Sequence, residues 1–598
     1  MRISWRSLPE VFVPRHHSLD SVSMRSVSSH SPGHLSSGAS DLTNMNRASR
    51  YTAQRSADRI EPAGKPVTCR GRFCGNSESY RSTYSHSLSL SMSGHNRSVS
   101  CFNYSWHTVP MNNLHTARNM RILAIDIGSS STRAEVFDAS LNTVDNTFAQ
   151  RTYNLETGAD GKAELDPAML LETVFTCIDA ATKSVDHIDA IGTSCFWHSL
   201  MGIDADGEPS TAVLMWADTR AAASVSQLTK EIDPAAHHQI TGSRLHTSYP
   251  MAKLRWLLDT QPEVVARTVR WMSFPEFLQE RLTGVAGIST SMASGTGLFD
   301  RRTLRWSTPT LEHLGLSEDK LNPRDDRPIV IENNRDWPKL NKARWIPAIG
   351  DGAANNLGSH AISPNHPALM VGTTGALRVV TNQPPGTLPP RLWQYRLDSD
   401  NALLGGALSE GGGVIAWLMD HFNTGNHQDV ERQIAGNQPD SHGLTVLPYF
   451  AGERSPNWHS DAVGTIHGLR FDTRPIDIIQ ATMESIGFSF AAILENLAHM
   501  LEPPVEIIAT GNALRLNQTW IQMIADISGY TLLLPRKTES SLRGAALHAL
   551  RQIGKEPPPP DIRSDCTRFD PRPERTEQYT EPRERQAHLY QLLVERTD

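Results

Sequence analysis

The sequence predicts an α/β protein built from two similar units that face each other across a cleft. Three observations carry this. Strand-like and helix-like segments alternate along the chain, with polar residues gathered where strands end. A hairpin pattern turning on glycine and hydroxyl residues, with an arginine just after the turn, occurs at 120–138 and again at 368–380. The chain has 598 residues, enough for several domains with large cores.

The first hairpin organises the rest. Ile122 to Ile127 is a short apolar run rich in β-branched residues, Gly128 and three serines make a turn, and Ala134 to Phe137 resumes as strand. Asp126 ends the first strand, where packing gives an acid no reason, because a buried carboxylate is costly unless paired or metal-bound. Gly128 lets backbone approach a ligand closely. Ser129, Ser130, Ser131 and Thr132 offer hydroxyls and N–H groups suited to phosphate oxygens, and Arg133 adds fixed positive charge. Taken alone, the stretch reads equally well as a Ser/Gly turn with a capping acid.

The elements then follow in order. Pro167 to Val185 has helical apolar periodicity, and Ile188 to Phe196 reads as a strand leading into Trp197-His198-Ser199. Leu200 to Ile203 pairs through the turn 204–207, and Leu214 to Trp216 runs into Asp218 and Arg220. Helical runs follow at Leu254–Leu258 and Phe274–Leu282, with Tyr249-Pro250 and Phe274-Pro275 expected to break helices. Residues 324–341 read as a charged surface excursion. Trp345 to Gly358 repeats the opening theme: an apolar strand, then Asp351, glycines and a helix start. Gly372, Thr373, Thr374 and Gly375 form the second hairpin turn, and Gly411 to Gly413 open a helix. Ile476 to Leu497 is a long apolar-periodic helix, and a strand at 505–509 runs into Gly511 and Asn512. Leu542 to Leu550 is a small-residue helix suited to close packing. Pro557 to Pro560 marks a linker before a charged tail whose short helix aligns Leu589, Leu592 and Leu593.

Composition narrows the function classes. A formal net charge of −7 argues against general nucleic-acid binding. No apolar run is expected to reach membrane-span length. The six cysteines follow neither a disulfide nor a zinc pattern, which suits a reducing, cytoplasmic compartment. Residues 1–118 are rich in Ser, Arg and His and poor in acids, so they are expected to be disordered or an over-extended translation ahead of Met111 or Met120. An organelle transit peptide is the third reading of that segment.

No GxxxxGK[ST], HRD or GxGxxG fingerprint is present, so a nucleotide site here is of another type. Two facing α/β units with Gly/Ser/Thr hairpins aimed at a cleft suggest ribonuclease-H-like domains of the actin and hexokinase type. From Arg121 to about Lys555 the chain resembles the FGGY carbohydrate kinases. The motifs that carry the resemblance are DIGSSSTR (126–133), GDGAANNLGS (350–359), GTTG (372–375), GERSPNW (452–458), ATGNALRLNQTWIQMIADISG (509–529) and SSLRGAALHA (540–549). Within the family, WHSLMGID (197–204), WADTRA (216–221) and SMASGTGLFD (291–300) are most similar to gluconokinases.

The resemblance implies an N-terminal domain over 119–364 on the sugar and phosphate side, a C-terminal domain over 365–555 on the ATP side, and a linker with a short helix over 556–598. It implies ATP-dependent phosphorylation of a small sugar or sugar acid, with D-gluconate as the expected acceptor. Asp351 would be the general base, and Asp126 with Asp351 would hold Mg²⁺. Ser129, Ser130, Ser131, Thr132, Arg133, Gly372 and Thr373 would contact phosphate. Gly411, Gly412, Gly511 and Asn512 would line the nucleotide, Asn512 standing where the family usually has a second glycine. His198, Asp218, Arg220 and Arg454 would bind the acceptor, the arginines reading its carboxylate. A ketopentose such as xylulose is the alternative acceptor. A catalytically silent ATP-binding regulator is the alternative of another class. The oligomeric state is open, a homodimer being one option.

Overall fold

The computed structural model describes residues 120–536, 539–558 and 564–595. The expectations for residues 1–118 lie outside these, as do those for Pro559 and Pro560. The elements that build the site are β1 (Ile122–Ile127), β2 (Ser131–Phe137), β3 (Ala149–Thr152), α1 (Pro167–Thr182), β4 (Ala190–Cys195), β5 (Ile329–Val330), β6 (Arg344–Trp345), β7 (Ile349–Gly350) and α2 (Asp351–Gly358). They continue with β8 (Ala368–Val371), β9 (Gly375–Thr381), β10 (Trp393–Arg396), β11 (Ala402–Leu408), α3 (Gly412–Phe422), α4 (Pro475–Ala498), β12 (Ile507–Thr510), α5 (Asn512–Leu516), β13 (Leu532–Pro535), α6 (Ser540–Gln552), β14 (Cys566–Phe569) and α7 (Thr580–Leu593).

Two seven-stranded sheets repeat one topology. The first runs β5-β6-β4-β1-β2-β3, with β7 also pairing β4. The second runs β10-β11-β9-β8-β12-β13-β14. In each, an antiparallel meander (β1-β2-β3, or β8-β9-β11) is extended on its first strand by parallel strands (β4 then β6, or β12 then β13). This is the duplication expected from the two hairpins. β1 is buried along its whole length, as a strand covered on both faces must be.

The turn of the first hairpin is tighter than expected. It spans Gly128 to Ser130, closed by Gly128 N–H donating to the Ser131 carbonyl at 2.9 Å, and Ser131 already belongs to β2. Pro250 and Pro275 start helices rather than breaking them. Each stands in a first turn, where its missing N–H costs nothing.

The small-residue helix α6 falls within the range 365–555 expected for the C-terminal domain. It packs instead on β1, β4 and β2 of the first sheet and against α2. Glycines make this possible. A Cβ on Gly544 would lie 1.8 Å from the Ala354 carbonyl oxygen, one on Gly358 1.7 Å from that of Ser540, and one on Gly192 of β4 2.1 Å from that of Ala545. Backbone meets backbone at each point.

Two further expectations are corrected. Helix α4 is 24 residues long, with a mean hydropathy of 1.2 over its most apolar window, so one stretch does reach span length. That window is 83% buried, because the helix forms the centre of the second core. The tail is more than a linker and a helix: β14 pairs with β13 as the edge strand of the second sheet. In α7 the expected leucine stripe is only partly the packed face. Leu592 and Leu593 are exposed, whereas Leu589 packs with the buried Tyr590 against Leu447, Tyr449 and Ala462, and the buried Gln586 adds a polar contact.

The glycine contact yields a direct test. Gly544→Ala is expected to lower stability by about 1–3 kcal/mol through overpacking, read from the shift of the urea unfolding midpoint. An unchanged midpoint would show that α2 and α6 can separate freely.

Candidate active site

Register places the two expected acids together. Asp126 ends β1 and pairs across β2 with Arg133 and across β4 with Ser194. Gly350 ends β7 on the other side of β4, and Asp351 opens α2 directly after it. Both carboxylates therefore leave the carboxyl ends of strands flanking β4. The Ser194 hydroxyl donates to Asp126 Oδ1 at 2.9 Å, and Arg133 Nη1 lies 3.5 Å from Oδ2. Burial, opposed by Arg133 and Ser194 and aided by the charge of Asp351, raises the Asp126 carboxyl to about 6. Burial raises Asp351 too, countered by Arg378. Asp351 does not cap α2, since the capping position is Gly350. Its Oδ1 instead accepts the Gly352 N–H at 2.7 Å.

The residues expected at phosphate divide in two. Ser129 and Ser130 lie in the turn, with Ser130 exposed. Ser131 and Arg133 share the β2 face of Asp126, and Arg133 also pairs with Glu539 at 3.0 Å. Thr132 does not join them. It points to the opposite, fully buried face, its hydroxyl 3.2 Å from that of Tyr153, which in turn donates to the Gly128 carbonyl at 2.5 Å. Strand alternation decides this, because β2 begins three residues earlier than the apolar pattern suggests.

On the second domain three turns converge. The Gly412 N–H donates to the Gly372 carbonyl at 2.7 Å, and that of Gly413 to the Thr373 carbonyl at 3.0 Å. A Cβ on Gly412 would fall 2.6 Å from the Cβ of Ala513. Gly372, Thr373, Gly411, Gly412, Gly511 and Asn512 thus form one concave edge, with Thr373 and Asn512 exposed. Gly511 has φ +97°, and a Cβ there would meet the Val371 carbonyl oxygen at 2.2 Å, so only glycine fits. Asn512 begins α5 with helical backbone and needs no left-handed conformation.

Between the domains lies an aromatic and cationic chamber. The Trp197 indole packs over the backbone beside Asp351: a Cβ on Gly350 would fall 1.9 Å from it and one on Gly352 2.9 Å. Trp197 Nε1 donates to the Ser291 carbonyl at 3.0 Å, so the run 291–300 sets this ring. His198 has φ +67°, an uncommon conformation for its type. Burial pushes its imidazole down to about 3, and its Nδ1 lies 2.5 Å from the Gly295 carbonyl. A carbonyl only accepts, so Nδ1 carries the proton and Nε2 presents a lone pair. The His198 ring meets those of Tyr249 and Tyr395, whose hydroxyls are 2.6 Å apart.

Among the described residues, buried polar atoms around this chamber that have no partner include Arg378 Nη1, Arg454 Nε, Glu410 Oε1 and Trp458 Nε1. Burial raises Glu410 to about 8, so it stands protonated near neutral pH. Arg378, Glu410, Tyr249 and Tyr395 were not anticipated from the sequence. Only Arg378 carried a signal, as the arginine that follows the second hairpin turn.

Asp218 and Arg220 are not brought to the chamber as free groups. Arg220 donates to Asp218 through Nε at 3.0 Å and through Nη2 at 2.6 Å, contacts Glu164 as well, and stacks on Trp256 at 4.5 Å. Asp218 also accepts the Ala163 N–H at 3.0 Å. Asp218 and Glu164 thus hold Arg220 through Nε and Nη2, and much of the bonding capacity of both carboxylates is spent on it. Arg454 remains: its Nη2 donates to the Leu408 carbonyl at 2.8 Å, and its guanidinium lies 5.5 Å from the Trp216 ring.

Residues 121–325 match the N-terminal domain of the FGGY family of carbohydrate kinases, and residues 368–553 match its C-terminal domain. The gluconokinase of Bacillus subtilis (strain 168) is 28% identical over 453 residues, covering 73% of this chain and 88% of that protein. Among solved structures, a ligand-bound xylulose kinase from Lactobacillus acidophilus superposes with a TM-score of 0.74 at 28% identity, covering 79% of this chain and 98% of that one. A gluconate kinase from the same organism gives 0.72 at 27% identity, with the same coverage. With both domain families matched in order on two facing, duplicated sheets, the chain belongs to the FGGY family of ATP-dependent carbohydrate kinases.

Proposed function

We propose that the protein is a gluconokinase, transferring the γ-phosphoryl group of ATP to the 6-hydroxyl of D-gluconate. One observation carries the choice of a sugar acid. Arg454 is a half-buried cation in the acceptor chamber whose Nε is buried and unpartnered and which, among the described residues, makes no ion pair. Its acidic neighbour Glu410 is held neutral by burial and does not cancel that charge. A carboxylate brought by the acceptor would supply the missing partner in the fork geometry that arginine favours. The likeness to gluconokinases supports the same reading.

The residues divide the work by position. Asp351 accepts the proton of the attacking hydroxyl, and burial makes its carboxylate a stronger base than in water. Arg378, on the far side of Asp351, holds it ionised for that role. His198 Nε2 accepts from an acceptor hydroxyl, and Trp197 walls the base from solvent. The first turn, through Ser129, Ser130, Ser131 and Arg133, and the second, through Gly372 and Thr373, hold the phosphates with N–H groups, hydroxyls and fixed charge. Gly411, Gly412, Gly511 and Asn512 form the nucleotide edge. Asp126 and Asp351 are buried, like-charged oxygen donors, a set that fits Mg²⁺. When bound, that ion neutralises charge on the transferring phosphates.

Three outcomes are expected. Asp351→Asn lowers kcat by at least about 10²-fold while ATP binding, measured by calorimetry, survives. Near-normal turnover would remove Asp351 as the base.

Asp126 gives a pH signature. Its carboxyl rises from 3.8 unfolded to about 6 folded, so the native state keeps a proton that the unfolded chain releases. The resulting stability is present below 3.8 and is lost as pH rises through about 6. In Mg²⁺-free buffer, Asp126→Asn should therefore gain melting temperature relative to wild type more at pH 8 than at pH 4, while losing turnover. Equal differences at the two pH values would contradict an uncompensated buried carboxylate.

The acceptor is settled by ADP release with gluconate, xylulose, ribulose, fuculose, rhamnulose and glycerol. Gluconate-dependent release is expected, with Arg454→Gln raising the gluconate KM by about 10- to 100-fold and leaving the ATP KM unchanged. Release with a ketose alone would keep the kinase and discard gluconate. No release from any acceptor, despite ATP binding, would favour a silent nucleotide-binding protein.

A further inference from the structure

Helix α7 lies beyond the family-matched residues, yet it reaches the acceptor side of the site. The Tyr590 hydroxyl, on its last turn, donates to Glu453 Oε2 at 2.6 Å. Glu453 is buried and central to the loop 453–459. Its Oε1 accepts from the N–H and side-chain amide of Asn457 at 3.2 and 3.3 Å, its Oε2 from the His459 N–H at 3.4 Å, and its own N–H donates to the His459 carbonyl at 2.9 Å. One carboxylate thus gathers both ends of a loop that carries Arg454 and Trp458.

The loop is also tied to β11, where Arg454 Nη2 donates to the Leu408 carbonyl at 2.8 Å. Ser455 ties it to β11, its N–H donating to the Ala407 carbonyl at 2.9 Å and its Oγ accepting the Ala407 N–H at 3.0 Å. Trp458 has φ +70°, an unfavourable conformation for an indole side chain, and its ring meets that of His246 at 5.7 Å. A strained residue stays in place only where its surroundings over-determine it. Helix α7 can supply that constraint because it is anchored independently. Arg585 pairs with Asp440 at 2.6 Å and donates to the Thr445 hydroxyl at 2.8 Å, and the Gln586 amide donates to the Ser485 hydroxyl of α4 at 2.9 Å.

We propose that Tyr590 is a positioning residue for acceptor recognition: through Glu453 it fixes the loop that presents Arg454 and Trp458 to the sugar chamber. This rests on the assignment of Arg454 to the acceptor. The C-terminal helix is then a working part of the sugar site, although it touches neither substrate.

Tyr590→Phe tests this, because it removes the hydroxyl and keeps the ring that packs against Tyr449 at 5.8 Å. The acceptor KM should rise about three- to tenfold, within the range of one hydrogen bond, while the ATP KM stays constant. Glu453→Gln should give the same split, and the double variant should add nothing to either single change. Tyr579→Phe, which alters a hydroxyl of the same tail 3.4 Å from Glu484, should leave the acceptor KM alone. An unchanged acceptor KM in Tyr590→Phe, or equal rises for acceptor and ATP, overturns the proposal. If Tyr590→Phe raises the acceptor KM but Arg454→Gln does not, the Arg454 assignment falls and the strap stands. The reverse pattern removes the strap alone. Independently of turnover, backbone amides of 453–459 should exchange hydrogen faster in Tyr590→Phe, and unaltered exchange there also overturns it.

Discussion

The structure depends on one close contact, the backbone-to-backbone meeting of α2 and α6. Side chains at Gly358 or Gly544 would occupy the carbonyl oxygens of the opposite helix. Because they are absent, α6 lies flat against β4 and β1, and α2 is held with its first residue at the ends of those strands. Asp351 is that first residue. A side-chain hydroxyl of the second sheet, Thr510 Oγ1 at the end of β12, also reaches Asn355 of α2 at 3.2 Å. The helix that carries Asp351 is therefore gripped from both domains. Interiors packed this densely shift between discrete arrangements rather than deforming smoothly, which keeps the Asp351 carboxylate aimed at the strand ends.

Around that fixed point the molecule tolerates groups that a core would ordinarily reject. Two carboxylates are buried near each other, and polar atoms of Arg378, Glu410, Arg454 and Trp458 lack partners among the described residues. Each unpaired atom costs on the order of 1–3 kcal/mol when water is excluded. His198 and Trp458 add backbone strain in the same place. Such violations gather where a ligand completes the bonding, so the chamber reads as half of an interaction whose other half is the acceptor with its phosphate donor. Large apolar cores on both sheets supply the stability that offsets them.

Much of the site was legible because its signals are local. A strand ending in an acid before a glycine turn has no packing explanation, and the theme occurs at Asp126 and Asp351, with the glycine and hydroxyl turn repeated at Gly372. Gly511 followed the same logic, and its positive φ and contact with Val371 give the reason. Thr132 was misplaced because the strand already runs through it, and neighbouring residues of a strand point to opposite faces. Asp218 and Arg220 look like acceptor ligands in a linear motif, but two residues apart they bond each other.

By itself, then, the sequence determined the α/β alternation, the duplicated hairpins and the residues at strand ends, because those follow from periodicity and from the cost of burying an unexplained charge. Only the tertiary structure decided which arginine lacks an ion pair among the described residues, that α6 packs on the first sheet, and that a tyrosine in the charged tail bonds Glu453 in the loop that carries Arg454. These depend on contacts between residues far apart in the chain, such as Tyr590 with Glu453 and Gly544 with Ala354. No local pattern encodes them, since the partner that satisfies a polar group or requires a glycine is set by how distant segments pack.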